Sequence, residues 1–142
     1  MQLTANFSLA ELTVTDRNMP NVPNEAEVAS LRSLAEMILQ PLRDALGKPV
    51  RVNSAFRSEA VNRAVGGTAT SQHRLGQAAD IHVPGMTSVE VAKKIVALGL
   101  PFDQVIEEFG SWVHVSYGPR RRRQQLTAVK RSGKTVYVQG IQ

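Results

Sequence analysis

Apolar residues recur at three- and four-residue spacing between positions 25 and 46, which predicts a long amphipathic helix with one buried face. The stripe consists of Val28, Leu31, Leu34, Ala35, Ile38, Leu42 and Leu46. Pro41 lies inside the pattern, and because proline lacks a backbone N–H we expect a kink or a break near Gln40. Gly47 follows as a suitable C-terminal stop.

Capping residues predict three shorter helices. Ser8, with Glu11 three residues later, forms a capping box at the start of the first. The predicted helices lie in residues 7–12, between Ser58 and Ala64, and from Thr87 or Ser88 to Leu98. Each capping side chain can accept a hydrogen bond from a backbone N–H that the helix leaves free.

Short alternating or continuous apolar runs predict strands in the later two thirds of the chain. They cover residues 49–54, 77–83, 102–108, 111–117, 125–130 and 135–138. A tight turn at Phe109-Gly110 joins two of them into a hairpin. Because helices come early and strands cluster late, we expect an α+β fold with helices packed on a mostly antiparallel sheet.

Composition narrows the possible classes of protein. A chain of 142 residues with 42% hydrophobic residues fits one domain, residues 1–142, with a buried core. It has no cysteine, so any metal must be bound by nitrogen and oxygen ligands. The formal charge of +5 suits an anionic partner. Residues 1–6 lack the basic and apolar regions of a signal peptide, and no apolar run predicts a membrane span.

The three histidines of the chain are the most informative residues. His73 and Asp80 lie close together in sequence, and His114 shares one face of a predicted strand with Trp112. Two histidines and one aspartate can hold a metal and leave a coordination position open, which is the arrangement of catalytic zinc sites. The pattern therefore predicts zinc ligands at His73, Asp80 and His114.

His82 leaves an alternative open, since it lies two residues after Asp80 and faces the same way on a strand. It could replace His73 as a ligand or act as a neighbour of the site. Two histidines and a carboxylate also bind iron in non-haem oxygenases, although the local order there usually runs His-x-Asp.

Two further positions are candidates for catalysis. A zinc hydrolase needs a carboxylate to take the proton of water, and Glu108 would face the strand that carries His114. Glu107 should then point to the opposite face, which we expect to be outward. Both could instead be solvated charges of a hairpin. Arg57 could clamp a substrate carboxylate or could simply begin a helix.

At these residues the sequence resembles the M15 peptidases, the group of zinc D-Ala-D-Ala carboxypeptidases and endolysins whose fold is shared with the hedgehog signalling domain. The family pattern Ser-x-His-x-x-Gly-x-Ala-x-Asp matches Ser71, His73, Gly76, Ala78 and Asp80. A Trp-x-His-x-Ser pattern matches Trp112, His114 and Ser116. A Ser-Gly-Tyr-Arg-Ser-like turn matches residues 54–58, with Ala and Phe in place of Gly and Tyr.

The resemblance implies roles for individual residues. It implies that His73, Asp80 and His114 bind zinc and that Arg57 orients the substrate. It also implies that Ser71, Gln72 and Trp112 lie at the substrate site. Some members place the base three residues before the last histidine, but Ser111 holds that position here. Hedgehog-like members carry a glutamate six residues before it, which is Glu108, while His82 could stabilise the oxyanion.

The function that the resemblance implies is zinc-dependent hydrolysis of peptidoglycan stem peptides or cross-links at a D,D- or L,D-type bond. We expect a monomer, made in the cytoplasm and acting on the cell wall or in the periplasm, and either phage-released or virion-associated. A zinc-containing module that binds the wall without turnover is the alternative. Arg120 to Arg123 form a basic run, but no aromatic residues alternate with it, so we do not expect nucleic-acid binding.

Overall fold

Two sheets are present in the computed structural model, which describes residues 1–142. A small N-terminal sheet pairs β1 (Gln2–Thr4) with β2 (Phe7–Ser8). The main sheet contains β3 (Arg51–Ser54), β4 (Ala78–His82), β5 (Gln104–Glu108), β6 (Trp112–Ser116), β7 (Gln124–Arg131) and β8 (Lys134–Gln139). Its strand order is β3-β4-β6-β5-β7-β8.

All pairs in the main sheet are antiparallel except β5 with β7, which run parallel. The chain turns back from β5 into β6, which ends beside the start of β5. Residues 117–123 then pass this end of the sheet, so that β7 begins at the same end as β5. The expected α+β class with a mostly antiparallel sheet is confirmed.

The helices are α1 (Leu9–Leu12), α2 (Glu25–Leu34), α3 (Gln40–Leu46), α4 (Glu59–Ala64) and α5 (Ser88–Ala97). A π-helical turn at Ala35–Leu39 joins α2 to α3, and the backbone stays helical through it. The expected kink or break near Gln40 therefore takes the form of a local change in helix type just before Pro41. Capping boxes begin α1 at Ser8, α2 at Asn24 and α5 at Thr87, since each cap accepts a hydrogen bond from the third helical residue.

The two faces of the main sheet have different surroundings. One face packs on the helices and forms the large core, whose sheet residues include Ala79, Ile81, Val105, Val113 and Val115 and whose helix residues include Leu31, Leu34, Ile38, Leu42 and Ile95. The other face carries a small apolar cluster of Ile106, Leu126 and Ala128 beside polar side chains. No helix combines the length and the apolar character that crossing a bilayer requires.

Candidate metal centre

Three elements bring the predicted ligands together. Asp80 on β4 and His114 on β6 lie directly opposite each other in the strand register. His73 lies in a 3₁₀ turn, Gln72–Leu75, that ends at Gly76 with a positive φ of 74°. A Cβ at Gly76 would approach the backbone oxygen of Glu27 to 2.7 Å, so only glycine lets this turn pack closely on α2.

The ligand atoms converge on one small volume. Asp80 Oδ1 lies 3.1 Å from His114 Nδ1 and 3.3 Å from His73 Nε2. One atom from each of the three side chains lies within 4.8 Å of the other two. The three side chains are therefore close enough together to bind a single divalent cation.

Backbone contacts fix the orientation of His73. Its Nδ1 lies 2.7 Å from the carbonyl oxygen of Ala55, and the N–H of Arg57 donates in return to the His73 carbonyl at 3.0 Å. A carbonyl can only accept, so Nδ1 carries the ring proton and Nε2 presents its lone pair to Asp80. Two acceptors then face each other, which favours a cation between them.

Charge interactions among the three residues support the same interpretation. Burial lowers the pKa of His73, so its neutral, metal-binding form is favoured. Burial alone would raise the pKa of Asp80, but the charges and hydrogen bonds of His73 and His114 outweigh it and lower that pKa. Burial would lower the pKa of His114, but the hydrogen bond and charge of Asp80 raise it overall. The nitrogen and oxygen donors fit zinc.

Arg57 lies against the remaining oxygen of Asp80. Its Nη2 is 3.6 Å from Asp80 Oδ2, and its Nε donates to Ser54 Oγ at 3.3 Å. Both side chains of this ion pair are largely buried. The guanidinium therefore balances the charge of Asp80 and restricts its orientation.

Glu108 lies on the same sheet face as His114. On the neighbouring strand β5, Ile106 pairs with His114, and Glu108 follows two residues later. It pairs with Trp112 across the β5–β6 hairpin, and the indole Nε1 donates to its carboxylate at 2.6 Å. Burial raises the pKa of Glu108 above its ordinary value. The carboxylate is thus held in place and disposed to accept a proton.

The expectation that Glu107 points outward is wrong. Its side chain does take the opposite face from Glu108, but that face is covered by α5, and Glu107 is only 4% exposed. The hydroxyl of Ser88 donates to its carboxylate at 2.6 Å. Ser88 is the first residue of α5, where the helix dipole stabilises a negative charge.

A cleft of about 530 Å³ opens beside the metal centre. It is lined by Thr68, Thr70, Ser71, Gln72, Gln104, Ile106, Glu108, His114, Arg120, Arg122, Leu126 and Tyr137. Ser71 and Gln72, which the family resemblance expects beside a substrate, are among these lining residues. Trp112 does not line the cleft and instead contacts Glu108.

His82 lies apart from this centre. It is exposed at the end of β4, and its Nδ1 is 2.6 Å from Asn53 Oδ1. The ligand grouping contains His73, Asp80 and His114 without it. The predicted role of His82 at the oxyanion finds no support in this position.

Sequence patterns did not predict the C-terminal wall of the cleft. Glu108 pairs with Ala128 on β7, and Ala128 pairs with Tyr137 on β8, so all three side chains share one sheet face. Only the methyl group of Ala128 stands between Glu108 and the Tyr137 ring along this row. The alternating residues 125–138 predicted a C-terminal hairpin, but they did not show that this hairpin pairs with β5.

Comparisons with known proteins agree with this geometry. Residues 5–116 match the family described as Peptidase M15. The chain is also 40% identical over 78 residues to the zinc D-Ala-D-Ala carboxypeptidase of Streptomyces albus G. That match covers 54% of this chain and 31% of the relative, so the chain spans about a third of the relative's length. Because the family match covers most of the chain and all three ligand candidates, the chain belongs to the peptidase M15 family.

Proposed function

We propose that the chain is a zinc-dependent peptidase that hydrolyses peptidoglycan stem peptides or cross-links at a D,D- or L,D-type bond. One arrangement carries this proposal: His73, Asp80 and His114 converge at the edge of a cleft that also contains the carboxylate of Glu108. The name of the Streptomyces relative, a zinc D-Ala-D-Ala carboxypeptidase, supports both the metal and the class of substrate.

The proposed chemistry assigns a role to each residue. His73, Asp80 and His114 would hold the zinc ion, which when bound would supply Lewis acidity towards a carbonyl group and water. Glu108 takes the proton of the attacking water at a carboxylate oxygen and returns it to the leaving amine. The raised pKa of Glu108 suits both directions of this transfer.

Neighbouring residues keep these groups in position. Trp112 holds Glu108 through its indole N–H, and Arg57 holds Asp80 through its guanidinium. Ser71 and Gln72 line the cleft, where the Ser71 hydroxyl can donate a hydrogen bond to the peptide backbone of a substrate and the Gln72 amide oxygen can accept one. Hydrolysis would take place at the cell wall or in the periplasm.

Digestion of purified peptidoglycan tests the proposal. Zinc-loaded protein should release peptide fragments that mass spectrometry identifies, and a chelator should abolish their release. The Glu108→Gln variant should retain its zinc but hydrolyse about 100- to 10,000-fold more slowly, the range that a general base contributes.

Two results would contradict parts of the proposal. If the zinc-loaded protein leaves muropeptides intact but sediments with cell walls, the chain is a wall-binding module without turnover. If Glu108→Gln is fully active, the peptidase remains but the proton acceptor is another group.

A further inference from the structure

The segment of residues 117–123 is anchored beside the cleft by Asp103. Arg122 donates from Nε to Asp103 Oδ1 and from Nη2 to Oδ2, both at 2.8 Å, and its backbone N–H donates to Oδ1 at 3.0 Å. Gln72, in the turn that carries a zinc ligand, donates to Oδ2 at 3.1 Å. Asp103 is completely buried, so the charge of Arg122 is neutralised within the fold.

Two of the adjacent arginines are also engaged within the chain. Arg121 donates to the Gly118 carbonyl at 2.9 Å and to the Tyr117 hydroxyl at 2.8 Å. The guanidinium of Arg123 lies 4.7 Å from the centre of the Phe102 ring. These contacts hold both side chains against the molecule, and neither residue lines the cleft.

Arg120 differs from these three residues. It is exposed, it lines the same cleft as Glu108 and His114, and it makes no hydrogen bond or ion pair with another side chain. Five of the other lining residues are neutral hydroxyl or amide side chains, namely Thr68, Thr70, Ser71, Gln72 and Gln104. Arg120 is thus the one cation of the cleft whose charge no group of the chain balances.

We propose that Arg120 determines specificity by binding a carboxylate of the peptide substrate, an inference that rests on the proposed function. A planar guanidinium matches a carboxylate with two parallel hydrogen bonds, and a carboxylate is the anion that a peptide offers. Arg57 is less suited to this role because Asp80 already faces its guanidinium. Arg120 also lies beyond residues 5–116, so this recognition belongs to the chain's own C-terminal segment.

A stem peptide with lysine at its third position has two carboxylates that Arg120 could bind: the C-terminal one and the free one of its D-glutamate. Three peptides separate them, namely the unmodified peptide, its C-terminal amide and its D-glutamate amide. The wild-type kcat/KM should fall about tenfold for one amide, the factor that one charge-assisted hydrogen bond contributes, and that amide identifies the bound group.

The Arg120→Gln variant should lose about tenfold in kcat/KM on the unmodified peptide and should no longer distinguish it from that amide. Arg131→Gln is the matched control, because it removes the same charge from an exposed position at the far end of β7. It should behave like the wild type. If Arg120→Gln keeps the wild-type preference, or if the wild type treats all three peptides alike, the inference is wrong.

Binding measurements separate this inference from the proposed function. If zinc-loaded wild-type protein cleaves none of the three peptides, the proposed function fails. Calorimetric titration of the same peptides then still tests Arg120. About tenfold weaker binding of the unmodified peptide by Arg120→Gln supports its role, whereas equal affinity overturns it.

Discussion

The metal centre and the C-terminal segment of residues 117–142 face the same cleft but are built differently. Of the proposed ligands, His73 and Asp80 are buried and His114 is partly buried, and the strands that carry Asp80 and His114 pair directly. The C-terminal segment is attached at the sheet edge by β7 and by the buried ion pair of Asp103 with Arg122, and it presents an exposed cation. Under the two proposals, zinc binding belongs to the largely buried centre and substrate choice to the exposed edge.

The parallel pairing of β7 with β5 connects the two regions. It places the added hairpin beside the strand that carries Glu108. Substitutions in the two regions should therefore have separable effects: changes at the centre should affect metal binding and catalysis, and changes at the edge should affect selectivity and stability.

The largest effect is expected for Asp80→Asn, which removes the only negatively charged ligand. Zinc affinity should fall by more than about 100-fold, since even outer partners of ligands contribute about 10- to 100-fold. Calorimetric zinc titration measures this change. His82→Asn is the control, because His82 is exposed and should leave zinc affinity unchanged. A comparable loss in the control would give His82 a place in the metal centre.

The second largest effect is expected for Gly76→Ala, which should lower the stability of the fold. Its new methyl group would lie 2.7 Å from the Glu27 backbone oxygen, and its φ is positive, so we expect about 3 kcal/mol of destabilisation. Gly85→Ala has a similar φ in open space and should cost only about 1 kcal/mol. Urea unfolding compares the two variants, and equal losses would show that the close approach to α2 contributes nothing.

Trp112→Phe removes the indole donor but keeps an aromatic ring. The kcat should fall about tenfold because Glu108 loses a charge-assisted hydrogen bond, while zinc content stays constant. That bond lowers the pKa of Glu108, so its removal should shift the acidic limb of the pH–rate profile to higher pH. An unchanged profile would mean that Trp112 does not position the base.

The smallest effect is expected for Asp103→Asn at the edge. Hydrogen bonds from Arg122 lower the pKa of Asp103 from 3.8 to about 2. The folded state thus binds this proton less readily than the unfolded state, so the stabilisation is present above pH 3.8 and is lost as the pH falls towards 2. At pH 7 the variant should be less stable by about 1–2 kcal/mol.

Urea unfolding at pH 7 and again near pH 2 measures this change in stability. The difference between Asp103→Asn and the wild type should nearly vanish at the lower pH, and zinc affinity at pH 7 should be unaffected. A difference that persists in acid would assign the loss to packing around Asp103 and not to its charge.

The sequence pattern was sufficient to predict those features that depend on residues close together in the chain. The helix changes to a π-helical turn just before Pro41, and the β5–β6 hairpin turns at Phe109-Gly110, because proline and glycine act on their own backbone. The spacing of His73 and Asp80 predicted a cluster because strand alternation and one turn are enough to aim both side chains at a common point.

Features that depend on distant parts of the chain could not be predicted in this way. Glu107 was expected to face solvent because its sequence does not indicate that α5 covers that face. The parallel partner of β5 comes from residues that lie beyond an intervening strand. Arg120 was indistinguishable from the other three arginines, since only the folded structure shows which of them have acquired partners.

The reciprocal hydrogen bonds between residues 55–57 and His73 have a practical consequence. They involve backbone groups, so they hold the turn in its ligating arrangement whether or not an ion is bound. Stripping the protein with a chelator should leave its circular dichroism spectrum unchanged, and added zinc should restore activity without a refolding phase. In this respect the protein should differ from zinc fingers, which fold only when their zinc ion is bound.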